Sequence, residues 1–373
     1  MRAAIDEVIK PFNGLTLEGI CRLNEVIDLP QNTLLHAGPP YASINQIPVP
    51  VRTAAAQILV LEGVCKSLEA GLDLIATEAY QLRPAQDYLV VTPLAQVVSS
   101  HSWVSKVTDG RISRYAPLVE GPPPALRFGS GDAQCLTAMR AMDIVAVALQ
   151  AELARDPLPL QPIIKAGLLD GDECHAVTLA THRHFLNALP ALESLLAGKP
   201  WFVLPILMAA SAVALGRVGT LCAAGGNGVA FGWRSTLTLD TPARNRWLTV
   251  PASAPEGQLF SDNDASRVLP AIGDSAVIDF AGLGAQALAF SPEMQEVWKS
   301  FLSDRAPGLR HDLISPDTGL VCVSQISRNN KSPSIHLAMV DAHGCGKILG
   351  RGAYTPEPGL FAVKPNTGDR SAS

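Results

Sequence analysis

Charge is scarce in this 373-residue sequence. Only 17% of its residues are Asp, Glu, Lys or Arg, against about 25% in an ordinary soluble domain. Aromatic residues supply just 5%. The 29 basic residues form no cluster and the net charge is −5, which argues against nucleic acid as the main partner. Paired cysteines are missing as well. The seven, at 21, 65, 135, 174, 222, 322 and 345, form no Cys-x-x-Cys unit, and such a dispersed, odd set reads as reduced thiols in the cytoplasm. Met1-Arg2-Ala3-Ala4-Ile5-Asp6-Glu7 shows no basic stretch running into an apolar one, so no signal peptide is expected. Trp201–Ala224 has the length of a bilayer span, about 20 residues, with Arg217 as its single charge. Pro205 and Gly216 interrupt it and no anchor closes its far end. A buried core helix is the expectation, and no membrane association. There is no Gly-x-Ser-x-Gly elbow and no P-loop, which excludes the serine hydrolases and phosphotransferases built on them.

What remains is apolar and heavily punctuated: 47% hydrophobic residues, 30 glycines and 29 prolines. That is too apolar for disorder and too interrupted for a coiled coil. The pattern predicts a mixed α/β and α+β chain in three segments. Residues 1–132 read as an N-terminal α/β domain with a helical arm over 1–29. A strand is expected at Thr33–Ala37 and a helix over 51–70 stopped by Gly71. Short buried strands are expected at Leu72–Ala76 and Tyr88–Val91, and a hairpin turn at Asp109-Gly110. Residues 133–224 read as helical, with spans 133–155, 172–188, 190–198 and 202–222. Residues 225–373 read as α+β, ending in a disordered tail near 364–373. Its strands are expected at 229–231, 236–239, 247–250, 277–280, 320–323 and 336–340, and a helix near 292–304.

Four strings could carry chemistry. In Asp170–His175, at a predicted helix start, Asp172 and His175 stand three apart and His182 follows on the same face. A carboxylate set against an imidazole suits general acid–base work, and the same pattern suits plain helix capping. His182 and His184 lack the i, i+4 spacing of a helical metal pair, and no metal or cofactor is expected. Ala224–Arg234 carries four glycines with Asn227 and Arg234, a loop that could admit an anion or simply join two elements. Arg246 on the next strand could face the same site. Gly273-Asp274-Ser275 leads through Asp279 to Gly282-Leu283-Gly284, which suggests an anion site at a helix start. The third glycine and the distal acid of a dinucleotide site are absent. Asp341–Lys347 places His343 two residues from Cys345, a spacing open to an imidazole-activated thiol and equally to chance.

Six strings in this order resemble one family: Leu34-Leu35-His36-Ala37-Gly38-Pro39-Pro40, Val107-Thr108-Asp109-Gly110, Arg127-Phe128-Gly129, Gly171-Asp172-Glu173-x-His175, Arg246-Trp247-x-Thr249-x-Pro251 and Gly273-Asp274-Ser275-Ala276. Together they resemble the YlbE-like family, whose members include a subunit of oxamate carbamoyltransferase. The resemblance implies a cytoplasmic subunit in a homo- or hetero-oligomer. It would act on small anionic substrates, with carbamoyl phosphate and an oxamate-like acceptor as the pair. By this resemblance the catalytic set is His175, Asp172 and Glu173. The substrate set it implies is His36, Gly38, Asn227, Arg234, Arg246, Asp274 and Ser275, to which the glycine turn read above adds Gly282 and Gly284 at the helix start. The family's Cys-His-His run and Gly-Pro-Met-Gly-Gly loop are not kept at Leu82-Arg83-Pro84 and Val90–Leu94, and the C-terminal turn is altered at His343–Lys347. A non-catalytic structural subunit and a Cys/His amidohydrolase are the alternatives.

Overall fold

The computed structural model describes residues 2–219, 221–235, 247–261, 263–301 and 310–362. The expected strand at 236–239, Arg246 and the expected tail near 364–373 lie outside them. The chain opens with α1 (Arg2–Ile9), β1 (Thr16–Arg22), β2 (Thr33–His36), α2 (Val49–Leu61), α3 (Leu68–Ala76) and β3 (Gln81–Pro84). The hairpin β4 (Trp103–Thr108) and β5 (Ser113–Pro117) turns at Asp109-Gly110 as expected. Then come α4 (Gln134–Leu153), β6 (Leu158–Pro159), α5 (Leu160–Leu169), α6 (Leu179–Ala188), α7 (Glu193–Leu196) and α8 (Leu204–Val218). The remainder alternates: β7 (Ala223–Asn227), β8 (Ala230–Arg234), β9 (Leu248–Pro251), β10 (Glu256–Leu259), β11 (Ile272–Gly273) and α9 (Ala276–Phe280). It closes with α10 (Pro292–Lys299), α11 (Arg310–Leu313), α12 (Val323–Asn329), β12 (Ile335–Val340) and β13 (Ile348–Tyr354).

Among the described residues the strands form four small sheets in the orders β5-β4-β1-β6, β2-β3, β11-β7-β8-β9 and β10-β13-β12. Among these pairings only β2-β3 is parallel, its crossover carrying α2 and α3. The chain is thus a mixed α and β fold. Its main apolar cluster draws on all three expected segments, from Ile5 and Phe12 through Leu207 and Val213 to Phe280 and Phe361. The N-terminal arm belongs to that core. Ile5, Val8 and Phe12 are fully buried, and β1 pairs with both β4 and β6.

The apolar segment around 201–224 is the buried helix α8, with Ile206–Ala214 enclosed. Other expectations fail for identifiable reasons. Leu72–Ala76 and Val277–Phe280, read as strands, are parts of α3 and α9; short apolar runs fit a buried helix as well as a strand. Gly71 sits inside α3 instead of ending it, because a Cβ there would lie 2.8 Å from the Ala56 Cβ of α2. The helix expected from 172 begins only at Leu179, so Asp172, Glu173 and His175 occupy the preceding loop. Tyr88–Val91 and Leu320–Val323 contribute single bridges, not strands.

Among the described residues six carboxylates are buried, and each accepts a hydrogen bond from backbone N–H. They are Glu120, Asp172, Glu173, Asp274, Asp279 and Asp341. A buried acid that finds such partners pins the loop supplying them. The Gly273–Gly284 stretch uses two of them at opposite ends of α9: Asp274 faces one neighbourhood and Asp279 another.

Candidate functional site

Around Asp274 the chain ties a knot. Its carboxylate accepts from the Gly38 N–H at 2.8 Å, the Gln86 side-chain amide at 2.6 Å and the Thr92 N–H at 2.9 Å. Burial outweighs those donors and pushes its pKa up to about 7. Gly38, at φ +75°, is held so close to β7 that a Cβ would sit 2.3 Å from the Gly226 carbonyl carbon, which is why only glycine fits. Asn227 donates to the Pro39 carbonyl and accepts from the Val229 and Ala230 N–H groups. Arg234 pairs with Asp87 at 2.7 Å, donates to the Gln86 carbonyl and lies 5.6 Å from the Trp247 ring centre. His36 stacks on Tyr41 at 4.4 Å, and burial lowers its pKa to about 4. Gly38, Asn227 and Asp274 therefore come together, with Asn227 and Asp274 holding the β2–α2 loop, while Arg234 is engaged by the Gln86-Asp87 turn.

His175 lies elsewhere, on a cavity of about 450 Å³. The cavity wall is mostly apolar, with Leu94, Phe128, Trp201 and Met294 among its members. Its polar residues are few: His175, Thr178, Ser275, His336, Arg127, Arg351 and Glu293. This composition, apolar walls with a few convergent polar groups, is that of a small-molecule site. The expected pairing of His175 with Asp172 is not formed. Asp172 caps α6, accepting from the N–H groups of Ala180 and Thr181 and from the Thr181 hydroxyl. The acid beside His175 is Asp279, with Oδ2 at 2.8 Å from Nδ1. Burial alone would lower the His175 pKa, but the Asp279 carboxylate holds it above the ordinary value. Glu173 is fully buried. Its Oε2 accepts from the His175 N–H, its Oε1 from those of Ala176 and Val177, and Oε1 stands 3.3 Å from His336 Nδ1. Burial would raise its pKa, but His336 and the neighbouring His175 bring it below the usual carboxylate range.

The glycine turn serves this pair and not a free anion. The Gly284 N–H donates to the Glu173 carbonyl, and the Ala285 N–H to Asp279 Oδ1 at 2.8 Å. Gly282, at φ +90°, packs beside Gly319. Arg127 enters the cavity from behind, donating to the Glu120 and Gly121 carbonyls, and burial lowers its pKa to about 10. Arg351 stands at the mouth, 3.3 Å from Glu293. Among the residues proposed from sequence, the cavity gathers His175 and Ser275, with Glu173 behind His175. His343 and Cys345 are not brought into contact. The His343 N–H bonds Asp341, and the exposed Cys345 thiol lies 3.4 Å from an Arg267 nitrogen. Sequence reading missed His336 and the partner role of Asp279, which stand 161 and 104 residues beyond His175. Arg127 stood in a resembling string but carried no assigned role.

The chain is a mixed α/β fold with a cavity lined by two histidines, His175 and His336. Residues 80–275 match the family model described as oxamate carbamoyltransferase subunit AllG, and the chain belongs to that family. It is 28% identical over 311 residues to the oxamate carbamoyltransferase subunit AllG of Escherichia coli (strain K12), covering 76% of this chain and 70% of that one. It is 26% identical to the uncharacterized protein YahG of the same strain, over 72% of this chain and 61% of that one. Its fold matches a crystal structure of a conserved protein of unknown function from Enterococcus faecalis V583, with a TM-score of 0.83 and 22% identity. That match covers 96% of this chain and 95% of the other.

Proposed function

We propose that this chain is a subunit of a cytoplasmic carbamoyltransferase, moving a carbamoyl group between carbamoyl phosphate and the nitrogen of a small anionic amide such as oxamate. The observation that carries the reading is the cavity. Arg127, His175 and Ser275, all inside the matched span, converge there with Arg351 and His336. Carbamoyl transfer needs cationic or N–H donors for the phosphate and for the developing oxyanion. Arg351 at the mouth supplies a guanidinium of the kind that binds carboxylate or phosphate in bidentate fashion. The His175–His336 end supplies the groups for chemistry at the carbamoyl carbon. Seven cysteines without a disulfide support a reducing compartment.

A second reading, in which the chain completes another subunit's site without catalysing alone, is favoured by the internal engagement of Asn227, Arg234 and Asp274. Phosphate release from carbamoyl phosphate and oxamate separates the two, measured on the purified chain alone and together with its native complex partners. Turnover by the chain alone sinks the second reading. Activity only in the complex, lowered at least about tenfold in Arg351→Ala, supports this cavity as part of a shared site. Full activity of the complex carrying Arg351→Ala and His175→Ala counts against the cavity altogether.

A further inference from the structure

We infer that the inner end of the cavity is a divalent-cation site, with His175, Asp279 and His336 as its protein ligands. Their ligand atoms all lie within 4.8 Å of one another and all three residues are buried. The decisive feature is what these atoms lack. His175 Nδ1, Asp279 Oδ2 and both ring nitrogens of His336 are enclosed without a hydrogen-bond partner. The 2.8 Å approach of His175 to Asp279, and the 3.3 Å approach of His336 to Glu173, are close but not aligned as N–H···O bonds. Buried polar atoms nearly always find partners, and orphaned ones call for an explanation. One orphaned atom from each of His175, Asp279 and His336 belongs to this cluster, and two imidazoles and a carboxylate so placed are what a cation would satisfy together.

The surroundings have the form of an outer coordination shell. Asp279 Oδ1 is fixed by the Ala285 N–H, leaving Oδ2 toward the histidines. Glu173 is locked by three backbone N–H groups of its own loop and stands beside His336. The Trp298 ring meets His336 edge-on at 4.3 Å. Such supports orient metal-bound imidazoles and carboxylates. Two imidazoles and one carboxylate suit a borderline first-row cation of the zinc class, and they leave coordination positions open. Those positions face the cavity, because His175 and His336 both line it, so the entry path is the substrate's own. A cation there would polarise an oxygen of whatever the cavity holds. Cation binding goes beyond the carbamoyl reading and does not depend on which acceptor enters.

The test is titration of the chelator-treated full chain with Co²⁺ and Zn²⁺. One Co²⁺ per chain, with the visible absorption of a low-coordinate nitrogen–oxygen site, is expected. In the unmutated protein carrying ¹⁵N-labelled histidine, Zn²⁺ should move the imidazole resonances of two histidines and leave the others in place. His336→Gln and Asp279→Asn should weaken Co²⁺ binding by more than the roughly 10–100-fold expected for an outer partner such as Glu173→Gln. An unchanged Co²⁺ spectrum, unmoved imidazole resonances, or equal affinity in parent and folded variants overturns the site. Tight binding without any carbamoyl turnover upholds the site and tells only against the proposed reaction.

Discussion

His36 and Asp274 flank the same turn, and burial displaces their proton affinities in opposite directions. Asp274 rises from 3.8 to about 7, and His36 falls from 6.5 to about 4. Between about pH 4 and 6.5 the unfolded chain carries its proton on His36 and the folded chain carries it on Asp274. Both states then hold one proton across the pair, so its net contribution to the pH dependence of stability is near zero. Single variants should uncover the two halves. Asp274→Asn leaves only His36, which the unfolded chain protonates first, so that variant should lose stability as pH falls from about 6.5 to 4. His36→Phe leaves only Asp274, ionised first when unfolded, so stability should fall as pH rises from about 4 to 7. Each slope approaches about 1.4 kcal/mol per pH unit at most. Urea titrations across this range, with parent and both variants, check it; parallel curves for all three would refute the pairing. Asp172 offers a simpler case. Replacing it with Ala strands the first N–H groups of α6 and the Thr181 hydroxyl, at a cost of about 1–3 kcal/mol in denaturant unfolding.

At the scale of elements, α8 and α9 show what pattern can reveal. α8 was legible because 15 apolar-rich residues exceed any ordinary strand, and its Pro205 falls in the first turn, where proline is tolerated. Leu207→Ala should therefore cost about 2–5 kcal/mol, as in other sealed cores, while the purified chain stays soluble and off lipid vesicles. α9, at five residues, offers no such length; its apolar run and flanking glycines spelled a strand. The site divides the same way. His175 was legible because an acid-rich turn beside an imidazole is a local signal. Its spatial neighbours were not. Asp279 and His336 reach it only through the packing of α9 and β12, and no spacing rule joins residues so far apart. Asn227 and Arg234 show why residue type alone decides little: both have internal partners here, and a structural clamp and a ligand clamp use the same residue types.

At the scale of the whole molecule, scarce charge is also partly hidden. Among the described residues six carboxylates are buried, so the surface is poorer in charge than the composition alone implies. Exposed apolar side chains persist on α4, where Ile144 is 64% and Val147 58% accessible, which agrees with a subunit that associates. Deleting residues 1–12 should be severe, not cosmetic: Ile5, Val8 and Phe12 leave the main core and α5 loses its cover. Loss of cooperative thermal unfolding in the truncated chain is the expected result, and an unshifted melting temperature would refute it. The same arm sets a timetable for biosynthesis. Its side chains emerge from the ribosome about 300 residues ahead of some partners: Lys10 bonds the Asp317 carbonyl, and Gly319, at φ +73°, packs against Pro11. At about 5–20 residues per second, these apolar residues wait roughly 15–60 s for their last partners. Until then this apolar segment is only partly covered, and nascent chains stalled before residue 310 should engage chaperones there more than completed chains do.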